Sequence, residues 1–187
     1  MINEQKLTDL YSEAASTLHK ASYDETNDVY MTESGEPAIS FDKLKDQYFE
    51  NLGSNAKDIE SADAFFKPEK SNAALIEFKN GRFRPIEIKR KMKDSLLVLC
   101  DISDIHISDS RKGLDFILVY NKKLRPENAG SDYRNKVVEY VTAKAGMEFV
   151  RFGLNSLKGT LFNDVHTYTQ EQFEGYLNRY TERNTDK

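Results

Sequence analysis

Two apolar runs of strand character constrain this chain most. They are Ala73-Ala74-Leu75-Ile76-Glu77-Phe78-Lys79 and Leu114-Asp115-Phe116-Ile117-Leu118-Val119-Tyr120. Each is short, rich in aliphatic and aromatic residues, and bounded by turn residues, the first by Asn80-Gly81. Between them, Pro85 opens a predicted helix over roughly 86–101, with Ile88, Met92, Leu96 and Leu99 as its buried stripe. Ahead of them, Ala62-Asp63-Ala64-Phe65-Phe66 reads as a short strand. It is joined to the first run by a turn over Pro68 to Asn72, so the two form a predicted hairpin.

The flanks supply further elements. Leu7, Leu10, Tyr11, Ala14 and Leu18 fall at helical spacing and predict a helix over about 3–20. Residues 21–40 read as a loop with a short strand at Val29-Tyr30-Met31. Phe41, Leu44, Tyr48 and Phe49 predict a second helix, capped by Ser40 or Asp42 and closed by Gly53. Further on, Ser131 or Asp132 caps a predicted helix containing Val137, Val138, Tyr140 and Val141, which Gly146 ends. A strand over Met147–Phe152, an edge strand at Val165–Tyr168 and a last helix capped by Thr169 follow; that helix buries Phe173, Tyr176, Leu177 and Tyr180. The run Asp101 to Asp109 has no clear period. This order predicts an α/β (α+β) fold, a central mixed sheet flanked by helices. At 187 residues the chain suits a single domain, with a helical part over 1–52, a core over 57–121 and a helix-strand-helix part over 131–181.

Charged residues make up 31% of the chain and the net charge is −4, so a polyanionic partner would have to be met by a local patch. The single cysteine, Cys100, lies in an apolar run; it excludes an internal disulfide and reads as a small hydrophobe. No stretch approaches the roughly 20 apolar residues of a membrane span. The polar start does not resemble a signal peptide, and the expected location is the cytoplasm.

Chemistry concentrates on Asp63, Glu77 and Lys79. Glu77 and Lys79 are two apart on a predicted strand and share a face, while Phe78 points to the other. Hairpin pairing would bring the Asp63 carboxylate to that of Glu77. Two converging carboxylates call for a hard divalent cation, Mg²⁺ or Mn²⁺, with the Phe78 carbonyl as a further ligand. Lys79 would orient a water there or offset negative charge on a phosphorane-like transition state. The alternative is a strand end emerging into solvent with a cross-strand ion pair. Glu-x-Lys occurs three times, at Glu4, Glu77 and Glu87, and only Glu77 ends an apolar β-run with an acid on the preceding strand.

Lys79, Arg82, Arg84, Lys89, Arg90, Lys91 and Lys93 follow within one segment, opposed by Glu87 alone. Arg82, Arg84, Lys89, Arg90 and Lys93 are therefore the candidate nucleic-acid-binding residues; the alternative is a solvated helix face. His19, His106 and His166 read as structural. No phosphate-binding glycine loop, nucleophile elbow or dinucleotide fingerprint is present.

Over residues 57–121 this arrangement resembles the PD-(D/E)XK nuclease superfamily. Asp63 matches the first acid, with Ser61-Ala62 where a proline often stands. Glu77 and Lys79 match the second acid and the lysine, and the helix over 86–101 and the strand over 114–120 match the next elements. The resemblance implies a restriction-endonuclease-like core and a Mg²⁺- or Mn²⁺-dependent nuclease acting on DNA or RNA. It also implies a glutamate from the first helix, Glu13 or Glu50, and it allows a homodimer. Two other expectations stand beside it: a catalytically inactive protein of that fold, and an immunity- or defence-type module that binds a protein partner.

Overall fold

The computed structural model describes residues 4–54, 58–69, 71–124 and 149–181. Its centre is a six-stranded mixed sheet flanked by helices. The strands are β1 (Ala15–Thr17), β4 (Pro37–Ser40), β5 (Ala64–Phe66), β6 (Ala73–Lys79), β7 (Leu114–Tyr120) and β8 (Val165–Thr169), and they lie in that order across the sheet. From β1 to β6 neighbours are antiparallel; β6, β7 and β8 are parallel. A separate two-stranded hairpin joins β2 (Tyr23–Asp24) to β3 (Val29–Tyr30).

The helices are α1 (Glu4–Leu10), α2 (Leu18–Ala21), α3 (Phe41–Asn51), α4 (Pro85–Ser103), α5 (Ile107–Gly113) and α6 (Gln170–Thr181). Alternation along β6 divides the core in two. Ala73 and Leu75 point to one face, where they join Ile88, Met92, Leu96 and Leu99 of α4 and Phe41 and Leu44 of α3. Ala74, Ile76 and Phe78 point to the other, onto Leu18, Met31 and Phe173 of α6. Both faces of β6 and β7 are covered, which is why these strands read as unbroken apolar runs.

The strands at 73–79 and 114–120 form as expected, as do the hairpin with β5, the helix from Phe41 and the edge strand β8. Thr169 caps α6, its Oγ1 accepting from the Gln172 N–H at 3.3 Å. Three expectations need correction. The helix over 3–20 is broken: α1 ends at Leu10, a 3-10 turn spans Ser12–Ala14, β1 follows, and α2 adds one turn. Its apolar residues are buried, but pairing of Ala15–Thr17 with Pro37–Ile39 prevails over helical spacing. The loop over 21–40 supplies β2, β3 and β4. Residues 149–152 of the expected strand Met147–Phe152 are irregular, with Phe152 at φ 64 before Gly153 at φ 65; Met147 and Glu148 lie outside the described residues. The helix expected over 131–146 also lies outside them. The unplaced run Asp101–Asp109 ends α4, turns at left-handed Asp104 and starts α5. Among the described residues no helix is long and apolar enough to cross a membrane.

Candidate functional site

The site forms where the sheet changes from antiparallel to parallel pairing. β5 and β6 pair only as far as Ala64 and Ile76, with the Asp63 N–H donating to the Ile76 carbonyl at 3.1 Å. The next β6 amide facing that side, on Phe78, has no strand residue opposite. The Asp63 carboxylate takes its place, Oδ2 accepting from the Phe78 N–H at 2.6 Å. Within one residue of a strand, N–H and C=O point the same way, so the Phe78 carbonyl turns toward Asp63 as well. The Phe78 ring goes to the opposite face and meets Phe173 edge-on, centroids 5.8 Å apart.

Glu77 points under α4 and is 0% exposed. Its Oε1 receives Lys79 Nζ at 2.7 Å and Lys91 Nζ at 2.9 Å. Its Oε2 is buried without a hydrogen-bond partner. Lys91 Nζ also lies 3.9 Å from Asp63 Oδ1, so one ammonium links the two acids. Burial, and then the charge of Glu77, push the Asp63 carboxyl well above the ordinary carboxylate range, against the pull of Lys91, the Phe78 N–H and Lys79. Burial opposes the Lys91 charge, yet Glu77, Asp63, the hydrogen bond to Glu77 and Asp42 outweigh it and hold this ammonium above its usual range.

Three residues join the site unannounced by the motif. Lys91 is the most central. At ~100° per residue it falls on the same arc of α4 as Ile88, Ser95 and Leu99, all buried. A lysine inside an apolar stripe was the signal available. Asp42, in the first turn of α3, accepts from Ser61 Oγ and adds to the field on Lys91. Ser95, fully buried, donates to the Lys91 carbonyl at 2.8 Å and accepts from the Ala62 N–H at 2.7 Å, which ties the approach to Asp63 onto α4. Neither acid expected from the first helix is brought to the Asp63–Glu77 pair. Glu13 accepts from Gln47 at 3.0 Å and Glu50 is exposed, whereas Asp42 is the helix acid in reach of Lys91.

On the far side, Lys79 pairs in register with Tyr120. The Tyr120 ring meets Phe152 at 5.0 Å, and Phe152 meets Phe83 at 5.2 Å, forming an aromatic wall. The strand end is pinned by Asn80, which donates to Asp24 at 3.0 Å and accepts from Asn121 at 2.8 Å.

The five candidate nucleic-acid-binding residues sort differently. Arg84 is held by Glu87 at 2.5 Å in the cap of α4, and Arg90 is paired with Glu60. Arg82 and Lys93 are exposed and Lys89 is half-buried, and none of the three makes an ion pair among the described residues. Of the whole basic segment, Lys79 and Lys91 are the two brought onto the acids. Cys100 is half-buried, and burial followed by the charge of Asp109 raises its thiol, which marks it as inert. Two histidine rings have structural partners, His19 Nδ1 donating to the Thr32 carbonyl at 2.9 Å and His166 stacking on Tyr168, while the backbone N–H of His106 donates to Asp109 Oδ2 at 2.9 Å in the cap of α5.

Among the described residues no three or more His, Cys, Asp or Glu side chains converge as a ready cation cage. The acids linked through Lys91 offer oxygen donors, the Asp63 carboxylate and the unpartnered Glu77 Oε2, the donor class that suits hard divalent cations such as Mg²⁺ or Mn²⁺. In comparison with known proteins, the chain matches no family model, no curated protein and no solved structure.

Proposed function

We propose that this protein is a divalent-cation-dependent nuclease of the PD-(D/E)XK kind, hydrolysing phosphodiester bonds of DNA or RNA. The observation that carries the reading is Glu77 Oε2, a carboxylate oxygen out of contact with water and without a partner, on the residue linked through Lys91 to Asp63. Leaving such an atom unsatisfied is costly, and a cation answers it. Asp63 and Glu77 would hold the Mg²⁺ or Mn²⁺, with the Phe78 carbonyl beside them. Such an ion supplies positive charge to a phosphate oxygen and makes water more acidic.

The chain's own groups do the rest. Lys79 places an ammonium at the end of β6, where negative charge develops on a phosphorus undergoing displacement. The Phe83–Phe152–Tyr120 wall limits water on that flank. Arg82, just beyond the end of β6, supports binding of a flanking phosphate, while Lys89 and Lys93 lie across α4 from Lys91 and add positive charge away from the acids.

A second reading has its own observation. Both lysines sit on Glu77 Oε1, and Asp63 already caps the Phe78 N–H, so each acid has a structural task without any ion. That favours a silent nuclease fold serving as an interaction module for a protein partner. Calorimetric titration of Mn²⁺ and Mg²⁺ into wild type and Asp63→Ala/Glu77→Ala, joined to cleavage assays on DNA and RNA with Lys79→Ala, separates the two. The nuclease reading expects ion binding that the double variant loses and cleavage that the folded Lys79→Ala variant loses. A wild-type protein that binds neither ion and cleaves no substrate belongs to the second reading.

A further inference from the structure

The two acids do not wait for a cation with nothing between them. Lys91 Nζ is 2.9 Å from Glu77 Oε1 and 3.9 Å from Asp63 Oδ1, and its side chain is 22% exposed. An ammonium that links both carboxylates stands where an incoming ion would be drawn, and like charges this close repel by several-fold in affinity even at a half-wetted site. Lys79 differs: it touches Glu77 alone, from the end of its own strand.

We infer that Lys91 is the resident occupant of the cation seat and becomes a ligand for a substrate phosphate when a divalent ion displaces it. This rests on the cation-site reading above and deepens it. Three observations support the exchange. The first is the unpartnered Glu77 Oε2, which an ammonium bound at Oε1 leaves unsatisfied. The second is position: Lys91 Nζ touches Glu77 at 2.9 Å and lies 3.9 Å from Asp63, so it and a cation held by the same two acids compete for one place. The third is the route. The Lys91 side chain is 22% exposed, so rotation about its long stem carries the ammonium from the acids toward solvent at the mouth of the site. An ammonium displaced from the two acids requires an anion to receive it. A nucleic-acid phosphate is that anion. The ion and the phosphate then load together, each easing the entry of the other.

Calorimetric titration of Mn²⁺ alone into the full chain tests the first half, using wild type, Lys91→Met and Lys91→Arg. Lys91→Met is expected to bind Mn²⁺ at least about tenfold more tightly than wild type, and Lys91→Arg, which keeps the charge, to stay within about threefold of it. Equal or weaker binding by a folded Lys91→Met, with wild type binding, overturns the inference and leaves the cation-site reading in place. Absence of Mn²⁺ binding by both overturns the two together. Wild-type protein gives an independent measure that no folding defect affects: amidination of its lysines, followed by mass spectrometry. Saturating Mn²⁺ is expected to speed labelling of Lys91 severalfold relative to Lys93, and a short phosphorothioate duplex added with Mn²⁺ to slow it again. A Lys91 rate that Mn²⁺ does not change overturns the displacement. A rate that rises with Mn²⁺ and is unaffected by the duplex overturns the transfer to phosphate.

Discussion

Removing both lysines from Glu77 should cost far more than the sum of removing each. In Lys79→Met, Glu77 keeps Lys91 at 2.9 Å; in Lys91→Met it keeps Lys79 at 2.7 Å. Each single change deletes one close ion-pair contact, worth about 1.5–3 kcal/mol in a protein interior. The lysine side chains are 27% and 22% exposed, so solvent screening lowers this to about 1–2 kcal/mol each. The double variant differs in kind. It leaves a carboxylate of 0% exposure with no cation, and breaking a buried pair in this way costs about 3–5 kcal/mol beyond an ordinary contact. The expected total is about 5 kcal/mol or more, against about 2–4 kcal/mol if the two effects were independent. Urea unfolding in the presence of a chelator, with slopes checked for constancy, measures all four proteins of the cycle. Adding Glu77→Gln to the double variant should recover most of the loss, because the stranded charge is then gone. Losses that add to within about 0.5 kcal/mol would refute the reasoning, since the lysines would then be independent surface contacts.

Two further outcomes follow from the same geometry. Because the folded Asp63 carboxyl sits above its unfolded range, the native state holds a proton that the unfolded chain has released. The contribution of Asp63 to ion-free stability is therefore fully present below about pH 4 and is lost as pH rises through the raised value; the difference in urea midpoint between wild type and Asp63→Asn should change with pH in this sense, and a difference constant across pH would count against it. Ser95→Ala removes the acceptor of the buried Ala62 N–H at 2.7 Å and should cost about 1–3 kcal/mol by urea unfolding, whereas a change under about 0.5 kcal/mol would show that the segment before β5 does not depend on α4.

Much of the sheet was legible because burial on both faces writes itself as an apolar run. β6 and β7 have the limits their composition predicts, and the pairing of β5 with β6 follows from the short turn between them. The N-terminal segment was misread for a physical reason. Leu7, Ala14 and Leu18 are all buried, as helical spacing suggested, but they belong to three different elements, and only the partner strand at Pro37–Ser40 reveals the extended stretch between the last two. A three-residue strand carries too little pattern to be seen without its neighbour. At the site, Asp63, Glu77 and Lys79 were visible because they share one hairpin. Lys91 and Asp42 were harder to assign because each has an ordinary alternative task, as one lysine of a basic helix and as a helix-start acid. Their inward placement depends on α4 and α3 packing on the same face of β6.

The parallel joining of β6 to β7 also orders events in time. Asp63 and Glu77 belong to a local hairpin, and hairpins close within microseconds. Lys91 lies in the long crossover that separates β6 from β7, and parallel pairing of distant segments comes later. If contacts form in that order, the acids meet with Lys79 beside Glu77 and one carboxylate without a counterion. Docking of the helix that brings Lys91 is then favoured by charge as well as by its apolar stripe, and Lys91→Met is expected to slow refolding more than Lys93→Met does.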